Sequence, residues 1–342
     1  MTSTRNPRWI RLSVAAAVAL LVGLAGCSSG TDEEQAQGTK TIRIAFFASS
    51  LANTYVPAQV QGARDAARKR DASITVFDAL VDASKQVTQV QDAITSRKFD
   101  AFVISAVDGN ALVPQIENAI AAGVKVACIS APCGPDLTSL KPQVEGLTVQ
   151  VGHSFVRSGQ QIGEQIVAAC ASRDLCRVVY LPGLFSYPAD KIRTEALHTT
   201  LRRHPEIEIV AEQEGKYAAE TARAALQNIL QAHLDVNVVA TTGDQMAFGM
   251  EQAIKAAGLQ GKVEIIGNGA SAVGVSAVKA GRWHSTVVLL PHTEGRIATE
   301  YVVRAARGAT GLPTSIDVER LSPIGPVATK ATVGTFKPEW RG

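Results

Sequence analysis

A glycine-rich turn is the part of this sequence whose spacing comes nearest to a cofactor-binding motif. Residues 267–272 read GNGASA after a β-rich run, which matches the G-x-G-x-x-A pattern that binds dinucleotide phosphates. That fingerprint also needs an acidic residue about 20 positions further on, at the end of the next strand. The next apolar run, residues 285–290, reads STVVLL and has no acid. A tight strand-to-helix turn explains the glycines, so we expect no nucleotide cofactor.

The other residue types that carry out catalysis form no recognisable arrangement. The chain has no G-x-S-x-G nucleophile elbow and no P-loop. The histidines are scattered along it, His153, His284 and His292 among them. Carboxylates such as Asp78, Asp108 and Asp244 follow apolar runs, where they commonly cap helices or stabilise turns. We predict that Asp244 is the N-cap of the helix beginning at Gln245, and that the protein is not an enzyme and binds no metal.

The N-terminal segment has the composition of a lipoprotein leader. Arg5, Arg8 and Arg11 precede an apolar run, Val14–Ala25, which is too short to span a membrane. The run ends in Leu-Ala-Gly-Cys at Cys27, which resembles the lipobox whose cysteine is lipidated. We predict a signal peptide over 1–26, lipidation of Cys27, a polar tether over 27–40, and an extracytoplasmic location at the cell membrane.

Four cysteines remain once Cys27 is assigned to lipid, and an even number outside the cytoplasm suggests disulfides. Three pairings are possible, and the short separations favour Cys128–Cys133 and Cys170–Cys176. Cys128 lies inside an apolar run, so a buried thiol remains an alternative there. No CxxC spacing supports a zinc site.

Net charge argues against nucleic acid as a partner. The chain has 34 Lys and Arg against 31 Asp and Glu, and the predicted leader holds three of the basic residues and none of the acidic ones. The processed chain would therefore be formally neutral, and it contains no basic block.

Strand and helix patterns alternate from residue 41 onward. Ten β-rich runs are followed by longer segments, and the runs are residues 42–49, 74–79, 101–106, 124–130, 147–152, 177–183, 207–213, 236–243, 263–269 and 285–290. Nearly continuous apolar strands indicate burial on both faces, as in a parallel sheet covered by helices. Helical periodicity follows in segments such as 56–70, 218–232 and 297–307. The sequence predicts an α/β fold with doubly wound parallel sheets, and its length favours two lobes.

Doubly wound sheets bind ligands at the carboxyl ends of their strands. The candidate contact loops begin at Ser49, Asp78, Ser105, Ser130, Gly183, Gly215, Gly243 and Gly267.

Four segments, taken in order, carry a resemblance to a known family. They are IRIAFFASSLANTYVPAQVQGARDAA, FDAFVISAVDGNALVPQIENAIAAGVKVACIS, PADKIRTEAL and VVATTGDQMAFGMEQAIKAAG. Together they resemble the ribose type of periplasmic binding protein, the sugar-binding type I receptors of ABC importers. The similarity covers residues 41–316. The related repressors carry a DNA-binding helix-turn-helix where this chain has its predicted leader.

The resemblance implies two Rossmann-like lobes joined by a three-strand hinge, with a ligand trapped between them. It places the three crossings of the chain between the lobes near residues 150–154, 285–289 and 316–322. The expected lobes are 41–150 plus 289–316 and 151–288 plus 317–342.

Four residues of this chain match ligand-binding positions of the family. Asn53 stands where the family has a sugar-binding asparagine, and Tyr55 where an aromatic ring stacks on the sugar. Arg193 matches the arginine that reaches the ligand from the second lobe, and Tyr217 another aromatic residue of the pocket. Directed hydrogen bonds and flat apolar faces suit a polyhydroxylated ring.

Other positions of the pattern have lost the family's carboxylates and amides. The residues at or beside them are Ser105, Ser130, Ala131, Gly243, Asp244, Asn268, Gly269 and Leu289. We still expect these residues, except Ala131 and Gly269, to line the ligand site together with Asp108. We expect the loss to leave a wetter, larger or more apolar cleft with Arg193 as its dominant charged contact.

The sequence thus predicts a substrate-binding lipoprotein of an ABC importer, a monomer that closes over a sugar, polyol, sugar derivative or small anion rather than free ribose. Its partners would be that solute and an ABC permease. The alternatives are a sensor that docks to a membrane kinase or chemoreceptor, and a binder of a non-sugar molecule.

Overall fold

The computed structural model describes residues 41–342. The predicted signal peptide, the lipidated Cys27 and the tether lie outside the described residues. Within the described range, no helix is long and apolar enough to cross a membrane.

The first of two sheets has six parallel strands in the order β11-β5-β4-β3-β1-β2. Its strands are β1 (Ile42–Ala48), β2 (Ala72–Asp78), β3 (Ala101–Ser105), β4 (Lys125–Ile129), β5 (Val149–Gly152) and β11 (Ser315–Asp317). Its helices are α1 (Tyr55–Arg68), α2 (Ala83–Ser96), α3 (Val113–Ala121) and α9 (Pro291–Ala306).

The second sheet also has six strands, in the order β12-β10-β9-β8-β6-β7. They are β6 (Cys176–Leu181), β7 (Ile207–Glu212), β8 (Val238–Thr241), β9 (Glu264–Gly269), β10 (Ser285–Val288) and β12 (Val327–Thr329). Its helices are α4 (Phe155–Cys170), α5 (Pro188–Leu201), α6 (Ala219–Ala232), α7 (Asp244–Ala256) and α8 (Ala272–Lys279). The predicted two-lobed α/β fold is therefore confirmed, with one correction: β12 pairs antiparallel with β10.

Both faces of each sheet are buried, as the continuous apolar strands predict. In β1, Ile44 and Phe46 pack in the cluster under α1 and α9, while Ala45 and Phe47 pack on the opposite face, towards α2 and α3. Successive side chains of a strand point to opposite faces, so a strand covered on both sides has to be apolar throughout. Burial of each such phenylalanine contributes roughly 1.5–3 kcal/mol.

The chain passes between the two sheets three times, after β5, after β10 and after β11. The connections are short in the first two cases, residues 153–154 and 289–290, and longer in the third, residues 318–326. Because β5 belongs to the first sheet to its end at Gly152, that sheet extends slightly beyond the expected boundary at residue 150. We propose these three segments as the hinge.

Two local disulfides are present, between Cys128 and Cys133 and between Cys170 and Cys176. The Cα atoms of the pairs are 6.1 and 5.7 Å apart. Cys170 is the last residue of α4 and Cys176 the first of β6, so this bond joins a helix end to the next strand as the spacing suggests. The other bond ties the loop after β4 back to its strand.

Candidate functional site

A cavity of about 110 Å³ lies between the carboxyl ends of the two sheets. The first lobe contributes residues that follow β1, β3 and β4, and the second lobe contributes residues that follow β6, β7 and β8. Its location agrees with the rule for ligand sites in doubly wound sheets.

Nine of the eleven ligand-binding residues expected from the sequence line this cavity. They are Asn53, Tyr55, Ser105, Ser130, Arg193, Tyr217, Gly243, Asn268 and Leu289. The structure thus brings them together from two lobes, and their contact with a ligand remains a prediction.

Asp108 and Asp244 are the two residues that do not line the cavity. The Asp108 carboxylate accepts hydrogen bonds from the backbone N–H groups of Asn110 and Ala111 at 2.9 and 3.2 Å, and so stabilises a turn. Asp244 is fully buried and accepts bonds from Ser271 N–H and the Thr286 hydroxyl, both at 2.7 Å. Both side chains hold the protein's own loops together.

The expectation that Asp244 is an N-cap is wrong. The helix α7 begins at Asp244 itself and its N-cap is Gly243, whose backbone is extended. Burial raises the pKa of the Asp244 carboxyl to about 6, although the hydrogen bonds from Thr286 and Ser271 oppose the rise. Its role is to fix the loop after β9 against β10, beneath the cavity wall.

Arg193 already has a counter-ion inside the protein. Its Nη1 lies 2.5 Å from the carboxylate of Asp190, one helical turn earlier on α5, and both side chains are almost completely buried. The Tyr217 hydroxyl donates to the same Asp190 oxygen at 2.6 Å. Desolvation alone would lower the pKa of Arg193, but Tyr217 and Asp190 beside it hold that pKa above its ordinary value. The cavity therefore contains a cation whose charge is balanced.

The remaining surface of Arg193 is also held in place. Its Nε donates to Ser158 Oγ at 3.3 Å, and the guanidinium lies 5.2 Å from the centre of the Phe155 ring. A planar group fixed on several sides presents its free edge in one orientation, which favours directed hydrogen bonds to a ligand.

Glu294 organises the first-lobe side of the cavity. Its buried carboxylate accepts hydrogen bonds from the Tyr55 hydroxyl at 3.1 Å and from Gln59 Nε2 at 2.7 Å, and it lies 3.3 Å from His153 Nδ1. Burial and the nearby carboxylate raise the pKa of Tyr55, so the phenol keeps its proton and donates it. The Tyr55 hydroxyl is thus already hydrogen-bonded to Glu294, which leaves the aromatic ring as the part of this side chain that a ligand can contact.

Close packing of α1 on α9 makes the Gln59 and Glu294 contact possible. Glycines stand where the helices touch, and a Cβ at Gly295 would lie 1.9 Å from the Gln59 carbonyl oxygen. A larger residue at Gly295 would separate the helices and move Gln59 away from Glu294.

The Glu294 carboxylate also determines which atom of His153 faces the cavity. A carboxylate only accepts hydrogen bonds, so Nδ1 carries the proton that points to Glu294. The other ring nitrogen, Nε2, is buried and has no hydrogen-bond partner within the described residues. His153 therefore presents an oriented and unused nitrogen.

Three cavity-lining side chains contain buried polar atoms that have no partner in residues 41–342. The atoms are His153 Nε2, Thr242 Oγ1 and Gln245 Oε1, and we call them the open polar atoms. A buried polar atom without a partner costs about 1–3 kcal/mol. Ten such side-chain atoms occur in the described residues, and these three are the ones that line the cavity, where a ligand can satisfy them. All three can accept a hydrogen bond from a hydroxyl group.

The sequence analysis did not propose these three residues as ligand contacts, and it named His153 only as one of several scattered histidines. His153 follows β5 and Thr242 follows β8, so both stand at strand ends where the rule for doubly wound sheets would have placed candidates. Gln245 lies in the first turn of α7 and has no comparable signal.

Two predicted residues are partly used by the protein itself. The Asn268 amide accepts from Ser158 Oγ and donates to the Thr242 carbonyl oxygen. The Asn53 carbonyl oxygen accepts from the backbone N–H groups of Tyr55 and Val56 at the start of α1, both at 3.0 Å. This leaves the Asn53 amide nitrogen as a donor on the first-lobe wall.

The two lobes touch across the cleft. The Tyr187 hydroxyl, just before α5, donates to the Ala106 carbonyl oxygen after β3 at 3.4 Å. Ala131 of the first lobe packs in one apolar cluster with Phe155 and Ala189 of the second. These contacts join the two lobes beside the cavity, whose lining includes Tyr187, Phe155 and Ala189.

Within the described residues, no group of three or more His, Cys, Asp or Glu side chains is arranged to hold a metal ion.

This combination, two doubly wound lobes with a cavity between their strand ends, defines a class of small-molecule receptors. A family model described as a periplasmic binding protein domain matches residues 44–310, and the chain belongs to that family.

Relatives agree with this assignment. The ribose import binding protein of Bacillus subtilis is 27% identical over 264 residues, which cover 76% of this chain and 80% of that protein. The xylitol-binding protein of Mycolicibacterium smegmatis is 24% identical over 276 residues, covering 80% and 74% respectively. An ABC transporter solute binding protein from Mycobacterium smegmatis, solved with bound glycerol, is similar with a TM-score of 0.74. It is 25% identical, and the match covers 89% of this chain and 100% of that one.

The family and these relatives are transport-related binding proteins and not enzymes. The interpretation of the sequence as a non-catalytic solute-binding protein is thus confirmed.

Proposed function

We propose that this protein captures a neutral polyhydroxylated solute, a sugar, polyol or sugar derivative, between its two lobes. The observation that carries the proposal is the set of open polar atoms on His153, Thr242 and Gln245. The Gln245 amide oxygen and the neutral His153 imidazole nitrogen accept hydrogen bonds, whereas the Thr242 hydroxyl both donates and accepts. Several hydroxyl groups on one small molecule, each a donor and an acceptor, can satisfy all three atoms.

The size of the cavity suits such a solute. One enclosed water needs roughly 10–15 Å³ of the same kind of volume. The cavity of about 110 Å³ therefore holds about 7 to 11 non-hydrogen atoms, in the range of a four- or five-carbon polyol or a pentose.

The charge of the cavity favours a neutral solute over an anion. Arg193 is the cation that lines it, and Asp190 already balances that charge at 2.5 Å. A small anion would bring a second negative charge to a pair that is already neutral, and desolvation of the anion would remain uncompensated. We therefore set aside the small anion that the sequence left open.

Capture works by closure of the hinge. Residues from both lobes line one cavity, so a bound solute contacts both and stabilises the closed form over the open one. The relatives are named for ribose and xylitol, and one neighbour was solved with glycerol, which supports a ligand of this chemical class.

The probes for this proposal are D-ribose, xylitol, glycerol, myo-inositol and, as an anion, acetate. We expect calorimetry to detect binding of at least one of the neutral compounds and none of acetate. His153→Ala should weaken the binding about tenfold or more, because it removes one acceptor inside a closed cavity. His284→Ala, on the outside of the second lobe, is the matched control and should bind as the parent does. Binding of acetate alone, or of no probe at all, would contradict the proposal.

We further propose that the protein is held at the membrane through Cys27 and delivers its solute to an ABC permease. The leader, the lipobox-like run and the family's role in import support this. We expect Cys27→Ser to move the protein from the membrane fraction to the soluble one, while Ser28→Ala leaves it in place. Retention of Cys27→Ser in the membrane fraction would refute lipid anchoring. A sensor role remains the alternative, and adjacent genes for a kinase rather than a permease and an ATPase would favour it.

A further inference from the structure

The C-terminal segment Glu339–Arg341 crosses from the second lobe to the first beside the cavity. Its central residue, Trp340, is buried and lines the cavity. On the second-lobe side, the carbonyl oxygens of Trp340 and Arg341 accept hydrogen bonds from Ala272 and Val273, at 2.9 and 3.1 Å. These are the first two residues of α8, whose N–H groups have no acceptor inside the helix. The segment therefore completes the helix end and is fixed to the second lobe.

Gly269 makes room for the indole ring. Trp340 Nε1 donates to the Gly269 carbonyl oxygen at 2.9 Å, and a Cβ at Gly269 would lie 2.3 Å from Trp340 Cζ2. Gly269 also has φ of +155°, a conformation that side chains rarely adopt. Trp340 can take this position because residue 269 has no side chain.

The position of Trp340 bears on an expectation from the sequence. By the resemblance, Gly269 replaces a ligand-binding aspartate, and the loss of such groups was expected to leave a wetter, larger or more apolar cleft. Beside Gly269 the third of these applies, because the space is filled by the indole of a residue 71 positions away in the chain. An apolar aromatic wall stands where a carboxylate would have accepted hydroxyl groups.

The same segment reaches the first lobe through two contacts. The Trp340 ring meets the Tyr55 ring edge to face, with 5.5 Å between centroids. The Glu339 carboxylate accepts hydrogen bonds from the backbone N–H and the hydroxyl of Thr293, in the first turn of α9, at 2.9 and 2.5 Å. The C-terminal segment thus contacts Tyr55, which lines the cavity, and Thr293, which closely follows the hinge connection at residues 289–290.

We propose that Trp340 is a ligand-contacting residue that sets specificity, and that Glu339–Arg341 acts as a latch that holds the lobes closed around the ligand. This rests on the proposed function of the same cavity. The indole favours C–H groups and disfavours hydroxyls, because it presents a π surface and its one N–H is already bonded to Gly269. The open polar atoms and the indole together fit a solute with several hydroxyls on one side and an apolar C–H side or methylene end on the other.

The test is calorimetry with D-ribose, xylitol and glycerol on the full chain and four variants. Trp340→Ala should weaken binding of the preferred probe about tenfold, and Trp340→Phe, which keeps an aromatic ring, about threefold. Glu339→Ala should raise the dissociation rate about fivefold with little change in the association rate, both measured by stopped-flow fluorescence, and unchanged rates would refute the latch. Trp283→Phe is the matched control, because Trp283 is a buried tryptophan of the same lobe that lies outside the cavity lining. This variant should bind the preferred probe with the affinity of the parent.

Fluorescence provides a second readout, and the emission maximum of the buried Trp283 checks that Trp340→Phe is folded. Ligand should shift the tryptophan emission of the parent and, by a larger amount, that of Trp283→Phe, which lacks one unresponsive tryptophan, and it should leave Trp340→Phe unshifted. An affinity unchanged in Trp340→Ala, or an emission shift kept in Trp340→Phe or lost in Trp283→Phe, would overturn this inference alone. Failure of the parent to bind any probe would overturn the proposed function, and this inference with it.

Discussion

Replacing Arg193 with alanine should both abolish ligand binding and destabilise the fold by about 3–5 kcal/mol, the usual cost of removing one partner of a buried ion pair. The change leaves the Asp190 carboxylate buried, with hydrogen bonds from Tyr217 and Leu184 but with no cation. It also opens a gap beside Phe155, on which the guanidinium rests. Urea unfolding gives the free energy, and calorimetry with the preferred probe gives the affinity.

The matched control for this prediction is Arg223→Ala. Arg223 pairs with Glu220 on α6 with the same spacing of three residues, but both side chains are exposed to solvent. Exposed pairs of this kind contribute about 0.2–1 kcal/mol, so the control should unfold almost as the parent does and bind normally. Equal destabilisation of the two variants would refute the view that burial makes the Asp190–Arg193 pair important.

Arg193→Lys distinguishes the loss of stability from the loss of ligand binding that we expect for Arg193→Ala. Lysine keeps the positive charge opposite Asp190 but loses the planar fork that reaches Ser158 and the cavity at once. We expect most of the stability to return and most of the affinity to stay lost.

The main strands of both sheets could be predicted from the sequence because a strand that is buried on two faces must be a continuous run of apolar residues. Phe46 and Phe47, adjacent in β1, both lie fully buried on opposite sides of the sheet, and only a run of apolar residues permits that. The two strands that were missed, β11 and β12, are three residues long and partly exposed. An edge strand that short carries no periodic pattern, and its place depends on a partner strand elsewhere in the chain.

The site was partly predictable for a different reason. Strand ends mark where ligands bind in this architecture, and that rule, with the family resemblance, placed residues such as Ser130 and Gly243 at the cavity. Residues whose role depends on a distant partner were missed. The His153 ring is oriented by Glu294, which is 141 positions away in the chain. The Trp340 indole is held by Gly269, which is 71 positions away. No local pattern encodes such pairs.

The substitution of Glu294 by alanine has the second large effect that we predict. Glu294 is completely buried and is the shared acceptor of Tyr55, Gln59 and His153. Its removal leaves three buried donors without a partner, each at a cost of about 1–3 kcal/mol, and the costs overlap because water can enter the gap. We expect a net loss of about 3–5 kcal/mol in urea unfolding, and loss of measurable binding because His153 and Tyr55 are no longer held.

Glu300→Ala is the control, since Glu300 lies on the same helix and pairs with Arg70 and Arg296 at the partly exposed surface. It should cost less than about 1 kcal/mol and leave affinity unchanged. Glu294→Gln distinguishes shape from hydrogen bonding: its amide fills the same space, yet only its oxygen accepts, so Tyr55, Gln59 and His153 compete for one acceptor. Binding as tight as in the parent would mean that Glu294 only fills space. A loss close to that of Glu294→Ala would mean that this carboxylate, 141 residues from His153, orients the imidazole that receives the ligand.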